Sequence, residues 1–344
     1  MKRPLLAAAW LLAGGLAAFT PLAARAQGSG SPTLDAVRQR GQLACGVTTG
    51  VAGFSLPDSK GVEQGIDADG CRAIAAAVFG DANKVKYVPL NTENRFTALQ
   101  SGEIDVLIRE TTWTLGRESS LGALFGPITF YDGTGFLVKA SAGVKEAKEL
   151  DGATICVQPG TSTELAIADY FHRTNMKFTP IEIQNLQEIL GAFFSGRCDA
   201  YSTDASALAG IRYQQGDKAK DYVLLPDIIS KEPLAPMVRK GDDKWFDLVR
   251  WTTYAQLTAE EDGVTSKNVD SFANSDNPDI RKLLGMEGDL GKSMSVDNKW
   301  AYNIIKQVGN FGEMFDRAFT PMGVPRGLNK LWSQGGLEYA PPMR

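Results

Sequence analysis

Two segments of the chain repeat one pattern. RFTALQSGEIDVLI (residues 95–108) and GAFFSGRCDAYST (residues 191–203) each run from apolar residues at helical spacing through Ser-Gly into a short strand. An aspartate leads each strand, Asp105 in the first and Asp199 in the second. Two further segments, LACGVTTG and TICVQPGT, are both short apolar strands that end in glycine and hydroxyl residues. These pairs predict two related α/β lobes.

Two extended segments lie where the chain would pass between the lobes. ITFYDGTGFLVKA is rich in β-branched and aromatic residues, and DYVLLPDIISKEPLAPMVRKG is extended and punctuated by prolines. We therefore predict that lobe one comprises residues 27–137 and 230–344, and that lobe two comprises residues 138–229. Beyond about Thr258, glycine-punctuated helical patterns predict a helical C-terminal extension that packs on lobe one.

The first 26 residues have the features of an export signal. Lys2 and Arg3 precede an apolar run, and Ala24-Arg25-Ala26 forms an A-x-A cleavage site. We expect cleavage after Ala26. No later run approaches the roughly 18 apolar residues that a spanning helix needs, so we expect a soluble, exported protein.

The charge of the mature chain bears on its partners. Removal of the signal takes away three basic residues and no acidic one, which leaves 33 basic and 40 acidic residues and a formal charge of −7. An acidic surface argues against a nucleic-acid partner.

The cysteines indicate disulfides. Cys45, Cys71, Cys156 and Cys198 are an even number in a chain expected to reach an oxidising compartment. Three pairings are possible, and the predicted lobes favour pairing within each lobe.

Residue types that carry catalysis are sparse. His172 is the one histidine in the sequence, and its helical surroundings favour a surface role. With paired cysteines, few ligands remain for zinc, and neither G-x-S-x-G nor G-x-G-x-x-G occurs. We expect no metal and no cofactor.

The segment IRETTWTLGRESS has the features of a carboxylate-binding site. Thr114 is a good helix N-cap, which would place Arg117 in the first turn of a helix whose N–H groups favour an anion. A guanidinium can hold a carboxylate through two charge-assisted hydrogen bonds, and Thr111 and Thr112 add donors. The alternative is a solvated surface arginine.

Lobe two offers a complementary pair of features. Thr161 and Glu164 fit a capping box at a helix start, although such boxes usually do nothing more than begin helices. Asp204 stands where a strand should give way to a helix, so it could accept hydrogen bonds from an ammonium group or act only as an N-cap. Opposite charges at Arg117 and Asp204 would suit an α-amino acid.

Other side chains could complete a pocket. Phe54 lies in a glycine-bounded loop, where it could cover the apolar part of a ligand or belong to the core of lobe one. Arg109 and Trp113 flank the hydroxyl run and could line the side-chain end of a pocket or serve in packing.

Several motifs in order carry a resemblance over most of the mature chain: TLDAVRQRGQLACGV, GVEQGIDADGCRAIAAAVFGD, the RFTALQSGEIDVLI unit, T-x-x-R at Thr114 to Arg117, VQPGTSTE and GRCDAYSTD. The chain resembles the amino-acid-binding branch of the periplasmic solute-binding proteins of ABC transporters (family 3), and most of all the general L-amino-acid-binding proteins. The resemblance implies a type II periplasmic-binding-protein fold, in which two α/β lobes are joined by two hinge crossings.

The resemblance also implies roles for particular residues. By motif position, Arg117 would clamp the ligand α-carboxylate with Thr112 as the neighbouring donor. Thr161 and Ser162 would add carboxylate contacts, and Asp204 would take the α-ammonium. The chain departs from the pattern at Val51, where many relatives have tyrosine, which leaves Phe54 as the candidate aromatic and fits tolerance of varied side chains.

The function expected from the resemblance is capture of an L-amino acid between the lobes and delivery to an ABC-type permease, by a monomer in the periplasm. One alternative is an exported enzyme on the same scaffold, similar to cyclohexadienyl dehydratase, with Glu93 or Glu110 as its acid or base. Another is a binding protein read by a sensor instead of a permease.

Overall fold

The computed structural model describes residues 28–344, so the export signal predicted over residues 1–26 lies outside the described residues. The strands are β1 (Leu43–Val47), β2 (Leu56–Pro57), β3 (Glu63–Gln64), β4 (Val85–Pro89), β5 (Val106–Leu107), β6 (Ala123–Phe125), β7 (Phe130–Asp132), β8 (Thr134–Lys139), β9 (Ala153–Val157), β10 (Phe178–Glu182), β11 (Ala200–Asp204), β12 (Tyr222–Leu224), β13 (Glu232–Leu234) and β14 (Met237–Arg239). The helices are α1 (Pro32–Arg40), α2 (Ile66–Phe79), α3 (Arg95–Ser101), α4 (Leu115–Ser120), α5 (Ser162–Arg173), α6 (Leu186–Ser195), α7 (Ala205–Tyr213), α8 (Asp243–Glu261), α9 (Pro278–Leu283), α10 (Leu290–Ser293), α11 (Trp300–Gln307) and α12 (Phe311–Phe319). Within residues 28–344, no helix is both long enough and apolar enough to cross a membrane.

Two sheets with equivalent strand orders organise the protein. The first has the order β4-β1-β5-β14-β6 and the second β10-β9-β11-β8-β12. In each sheet the first three strands are parallel, and the fourth runs antiparallel to the third. We call the parts built on these sheets lobe one and lobe two. The two related α/β lobes predicted from the repeated segments are therefore present.

The repeated aspartates perform the same task in both lobes. Asp105 precedes β5, and its carboxylate accepts a hydrogen bond from the backbone N–H of Ala44 at 2.7 Å. Asp199 precedes β11 and accepts from the backbone N–H of Thr154 at 2.8 Å. Because Ala44 lies on β1 and Thr154 on β9, each aspartate ties its strand to the neighbouring parallel strand. These residues hold the sheets together.

The lobes are joined where β7 pairs antiparallel with β13. The predicted boundary between residues 137 and 138 is wrong, because it falls inside β8, which belongs to the second sheet. The chain changes sheets at Gly133, where an added Cβ would lie 2.2 Å from Cγ2 of Ile228 and 2.6 Å from the carbonyl oxygen of Ser230. Glycine is needed there because the two crossings approach each other closely. The return crossing follows Ile229, near its predicted position.

Each lobe contains one disulfide. Cys45 on β1 is bonded to Cys71 on α2, with 6.1 Å between their Cα atoms. Cys156 on β9 is bonded to Cys198, with 5.6 Å between their Cα atoms. The prediction of pairing within lobes is confirmed: the first bond fastens β1 to α2, and the second fastens β9 to the loop that leads from α6 into β11.

The C-terminal extension packs on lobe one. Helix α11 lies against α2, and the side chain of Gln307 bonds to the backbone of Ala82 and Gly80 at 2.9 and 3.0 Å. The extension also reaches lobe two, because the short turn Thr320–Met322 contacts α7. It therefore covers one lobe and touches the other.

Candidate ligand-binding cleft

A cavity lies between the lobes, and we call it the interlobe cleft. Lobe one lines it with Thr48, Val51, Thr92, Arg95, Arg109, Glu110, Thr112 and Arg117. Lobe two lines it with Gln158, Thr161, Ser162, Thr163, Leu186, Tyr201, Thr203, Asp204, Ala207 and Ile211. Polar and charged side chains outnumber apolar ones, so the cleft suits a polar ligand.

Arg117 is positioned by a short helix. Thr114 caps α4, and its hydroxyl accepts a hydrogen bond from the backbone N–H of Arg117 at 3.2 Å. The guanidinium donates from Nη1 to the carbonyl oxygen of Thr112 at 2.9 Å and lies 5.3 Å from the centre of the Phe96 ring. Desolvation lowers the pKa of Arg117, and the carboxyls of Glu232 and Asp204 oppose that shift. The side chain is thus partly buried and held in one orientation.

Thr112 connects the lobes directly. Its hydroxyl lies 2.6 Å from Oε2 of Glu232, a buried carboxylate on β13, and 3.1 Å from the hydroxyl of Ser162 in lobe two. Ser162 is the first residue of α5, whose N-cap Thr161 accepts from the backbone N–H of Glu164 at 3.1 Å. The predicted helix start is present, although the Glu164 carboxylate accepts from Gly160 N–H at 2.8 Å instead of completing a box with Thr161.

Asp204 ends β11 and stands at the N-cap position of α7, yet its side chain makes no capping hydrogen bond. It is 6% exposed and lines the cleft. Desolvation raises the pKa of this carboxyl well above its ordinary value, with the nearby carboxyls of Asp132 and Glu232 contributing. A buried carboxyl without a capping role is an acceptor that a cationic ligand group can satisfy.

Phe54 and Thr111 do not line the cleft. Phe54 is fully buried, with edge contacts to Phe130 at 5.6 Å and Phe319 at 5.2 Å between ring centres. Its carbonyl oxygen accepts from the backbone N–H groups of Asp67 and Ala68 at the start of α2. The hydroxyl of Thr111 donates to the carbonyl oxygen of Arg109 at 2.8 Å.

Of the other two candidate lining residues, one lines the cleft and one does not. Arg109 lines the cleft, and its Nε donates to the carbonyl oxygen of Leu90 at 2.9 Å. Trp113 lies outside the lining, stacked on Phe125 with 5.8 Å between ring centres. Val51, the position where relatives often have tyrosine, does line the cleft. The lining residue with an aromatic side chain is instead Tyr201 of lobe two.

Glu110 lines the cleft with an unusual backbone. Its φ is 42°, in the left-handed region that non-glycine residues rarely adopt, and its N–H donates to Oδ2 of Asp67 at 3.0 Å. Desolvation raises the pKa of Glu110 to about 8 and that of Asp67 to about 7. Glu93 is outside the lining. The sequence gives no signal for the strain at Glu110, because nothing in RETT demands a positive φ.

The lobes touch each other across the cleft in this structure. The side chain of Gln184 donates to the hydroxyl of Thr92 at 3.3 Å. Gly210 on α7 packs so closely on lobe one that an added Cβ would lie 2.3 Å from the carbonyl oxygen of Ala52. Together with the Thr112–Ser162 contact, these distances describe a closed arrangement.

Residues 43–275, which include both sheets, match the family model of the bacterial extracellular solute-binding proteins, family 3. The chain belongs to this family. This confirms the family predicted from the motifs, and the fold is the predicted type II periplasmic-binding-protein fold.

Two similar members of the family match nearly the whole of this chain, including its C-terminal extension. The general L-amino acid-binding periplasmic protein AapJ of Rhizobium johnstonii is 52% identical over 94% of this chain and 96% of its own length. The glutamate/glutamine/aspartate/asparagine-binding protein BztA of Rhodobacter capsulatus is 53% identical over 94% of this chain and 97% of its own length.

A solved structure agrees with the whole architecture. The ABC transporter periplasmic binding protein from Brucella ovis, described with glutathione bound, superposes with a TM-score of 0.88 and 51% identity. The alignment covers 91% of this chain and 99% of the Brucella chain. The arrangement of lobes and extension is therefore shared within this branch of the family.

Proposed function

We propose that this protein captures an L-α-amino acid in the interlobe cleft and delivers it to the permease of an ABC transporter. In this proposal the protein acts in the periplasm, as a monomer, and makes or breaks no covalent bond. The names of AapJ and BztA, both amino-acid-binding proteins, support the ligand class.

One observation carries the proposal. Arg117 of lobe one and Asp204 of lobe two line the same cleft, and neither forms an ion pair with another residue in the range 28–344. The α-carboxylate of an amino acid would accept from the Arg117 guanidinium, while Thr112, Thr161 and Ser162 surround that end of the cleft. The α-ammonium would donate to Asp204. A zwitterion thus satisfies both charged groups at once.

Ligand binding would favour closure because the two charged ends of the ligand contact different lobes. A ligand shifts an equilibrium only by its differential affinity for the two states, and contacts to both lobes exist only in the closed state. The closed surface is then what a permease can distinguish from the open one. Small apolar residues on the remaining wall, Val51 and Ala207, support tolerance of varied ligand side chains.

The test is calorimetry on protein stripped of bound ligand. Arg117→Met and Asp204→Asn should each weaken binding of every amino acid by about thirtyfold or more, because loss of one partner of a buried charge pair costs about 2–5 kcal/mol. Arg173→Met, a substitution of an exposed arginine on α5, serves as the matched control and should leave affinity unchanged. Intact affinity in the Arg117 and Asp204 variants would refute the site.

The same stripped protein can be used to test the enzyme alternative and the sensor alternative. Incubation with amino acids and prephenate-like acids, followed by identification of the products, would reveal turnover if the cleft were an active site with Glu110 as its acid. Co-purification with membrane components would distinguish a permease partner from a sensor.

A further inference from the structure

Glu232, on the crossing strand β13, gathers three hydroxyl groups around one buried carboxyl. The side chain is 2% exposed and forms no ion pair within residues 28–344. The hydroxyl of Thr112 lies 2.6 Å from its Oε2, and those of Ser230 and Thr134 lie 2.5 and 3.2 Å from its Oε1. Three hydroxyls suit a carboxylate, which has acceptor sites only. The Thr112 hydroxyl therefore donates its single proton to Glu232.

This proton fixes the direction of the hydrogen bond that crosses the cleft. The hydroxyls of Thr112 and Ser162 lie 3.1 Å apart, and the distance alone allows either to donate. Because the Thr112 proton is directed at Glu232, its oxygen presents only lone pairs to lobe two, and Ser162 must donate. A hydroxyl that donates to a carboxylate is a stronger acceptor, since successive hydrogen bonds polarise one another.

The two hydrogen bonds of Thr112 differ in what opening does to them. Backbone bonds of 2.8 and 3.1 Å tie residues 111–113 to residues 233–235, directly after Glu232. Thr112 and Glu232 therefore stay together when the lobes separate. Ser162 is the first residue of α5 in lobe two, so its bond to Thr112 exists only when the cleft is closed.

We propose that Glu232 is a positioning residue for closure, which orients the Thr112 hydroxyl as the acceptor of a hydrogen bond from Ser162. We call these three side chains the interlobe relay. The relay contains no ligand atom, so it stabilises the closed state in the empty protein as well. It also leaves the hydroxyls of Thr112 and Ser162 without a proton for a ligand. The inference rests on the proposed function only in that closure serves ligand capture.

The first measurement needs no substitution. Neutron diffraction from deuterated crystals of the closed wild-type protein locates the hydroxyl deuterium atoms directly. The deuterium of Thr112 should lie between its Oγ1 and Oε2 of Glu232, and that of Ser162 should point at Thr112. A Thr112 deuterium directed at Ser162, or a deuterium carried by Glu232, would overturn the inference.

The second measurement follows closure in protein stripped of ligand. Energy transfer between dyes on cysteines introduced at exposed Lys86 of lobe one and exposed Asp169 of lobe two reports the ratio of closed to open molecules. Ser162→Ala should lower this ratio by about threefold to tenfold, the effect of one hydrogen bond of ordinary net strength. An unchanged ratio, or a wild-type protein without a closed population, would overturn the inference.

The third measurement tests the direction of the relay by reversing it. Ser162→Asp places an acceptor-only side chain in the first turn of α5, where negative charge is favourable to the helix. That acceptor faces the lone pairs of Thr112, so closure should fall at least as far as in Ser162→Ala. Adding Glu232→Gln should restore closure to within about threefold of wild type, because the amide can donate to Thr112 and release its proton toward the introduced carboxylate. A merely structural role for Glu232 predicts a double variant that closes less than either single variant.

Two controls show how the restoration arises. Glu103→Gln removes the same charge at an exposed position of lobe one and should not restore closure to Ser162→Asp. Thr112→Val, added to the restored double variant, should abolish the restoration because no hydroxyl then links the two ends. Persistent closure with valine would assign the effect to charge repulsion and overturn the relay. If the valine variant does not fold, the neutron positions decide.

The outcomes separate the relay from the proposed function, because the dye measurement uses ligand-free protein. If no amino acid increases closure or gives heat in calorimetry while the relay variants behave as expected, the proposed function fails and the relay stands. If amino acids close the protein but Ser162→Ala closes as wild type does without ligand, the relay is wrong and the proposed function stands.

Discussion

Asn329 of the C-terminal extension forms two hydrogen bonds with the backbone of Tyr131 on the crossing strand β7. The Tyr131 N–H donates to Oδ1 of Asn329 at 2.7 Å, and Nδ2 of Asn329 donates to the Tyr131 carbonyl oxygen at 3.2 Å. The residue paired with Tyr131 on β13 is Pro233, which has no N–H to offer. The buried side-chain amide of Asn329 therefore bonds to the β7 backbone at the hinge as a neighbouring strand would.

We predict that Asn329→Ala destabilises the protein by about 1–3 kcal/mol, because it leaves buried backbone groups of Tyr131 unsatisfied. Chemical denaturation of the ligand-free protein measures the change. Asn274→Ala, at an exposed position in the extension, is the control and should have little effect. Equal stabilities of the two variants would contradict the role assigned to Asn329.

Gly210→Ala should weaken ligand binding without weakening the fold. The added methyl group would lie 2.3 Å from the carbonyl oxygen of Ala52 on the other lobe, so the closed state must shift to admit it. In the open state the substitution should stabilise α7 by about 0.5–1 kcal/mol, as alanine does in a helix. Thermal unfolding and calorimetry together test this prediction.

The control for Gly210→Ala is Gly191→Ala on α6, where an added Cβ meets nothing within 4 Å. That variant should gain the helical stabilisation and keep wild-type affinity. If both variants bind ligand equally well, Gly210 does not limit closure.

The stability of the ligand-free protein should fall as pH rises from about 4.5 to about 8. Glu110 has a pKa of about 8 in the folded protein against an ordinary value of 4.5, so in this window the folded state retains a proton that the unfolded chain has released. A tenfold difference in proton affinity between the folded and unfolded states corresponds to about 1.4 kcal/mol. Asp67, with a pKa raised to about 7, adds an effect of the same sign.

Glu110→Gln should make this pH dependence shallower, because glutamine does not titrate. Unfolding free energies at several pH values between about 5 and about 8 provide the measurement. Exposed Glu103→Gln is the control and should retain the wild-type slope. An unchanged slope in Glu110→Gln would show that its carboxyl is already ionised across this range.

Replacement of both Cys156 and Cys198 by alanine should cost about 4 kcal/mol of stability. The bond closes a sequence separation of 42 residues, and the chain-entropy model gives slightly more for this loop than for the 26-residue separation of Cys45 and Cys71. Urea unfolding of the two double variants measures both losses. A negligible loss in either variant would contradict the chain-entropy account of that bond.

The fold could be predicted from the sequence because the patterns that indicate it lie within short segments of the chain. Ser-Gly breaks and strand aspartates mark both lobes, and the equivalent bonds of Asp105 and Asp199 explain why the pattern recurs. Arg117 and Asp204 could be placed because each stands beside a recognisable helix start. Both side chains line the cleft, as expected, whereas their contacts with a ligand remain predictions.

The misassigned residues depend on distant partners. Phe54 could not be assigned to the core from its own loop, because the ring that covers it, Phe319, comes from the C-terminal extension. Arg95 was missed because an arginine at a helix start resembles a surface residue until the opposite lobe encloses it. The first lobe boundary was misplaced because the close approach at Gly133 involves Ile228 and Ser230 of the return crossing.

The order of β14 within its sheet has a consequence for the newly made chain. The sheet of lobe two uses one continuous stretch, from Thr134 to Leu224, whereas the sheet of lobe one has a gap between β5 and β6 until Met237–Arg239 arrives. Lobe two can therefore complete its sheet while lobe one still waits for its antiparallel strand. Lobe one therefore begins first along the chain but completes its sheet last.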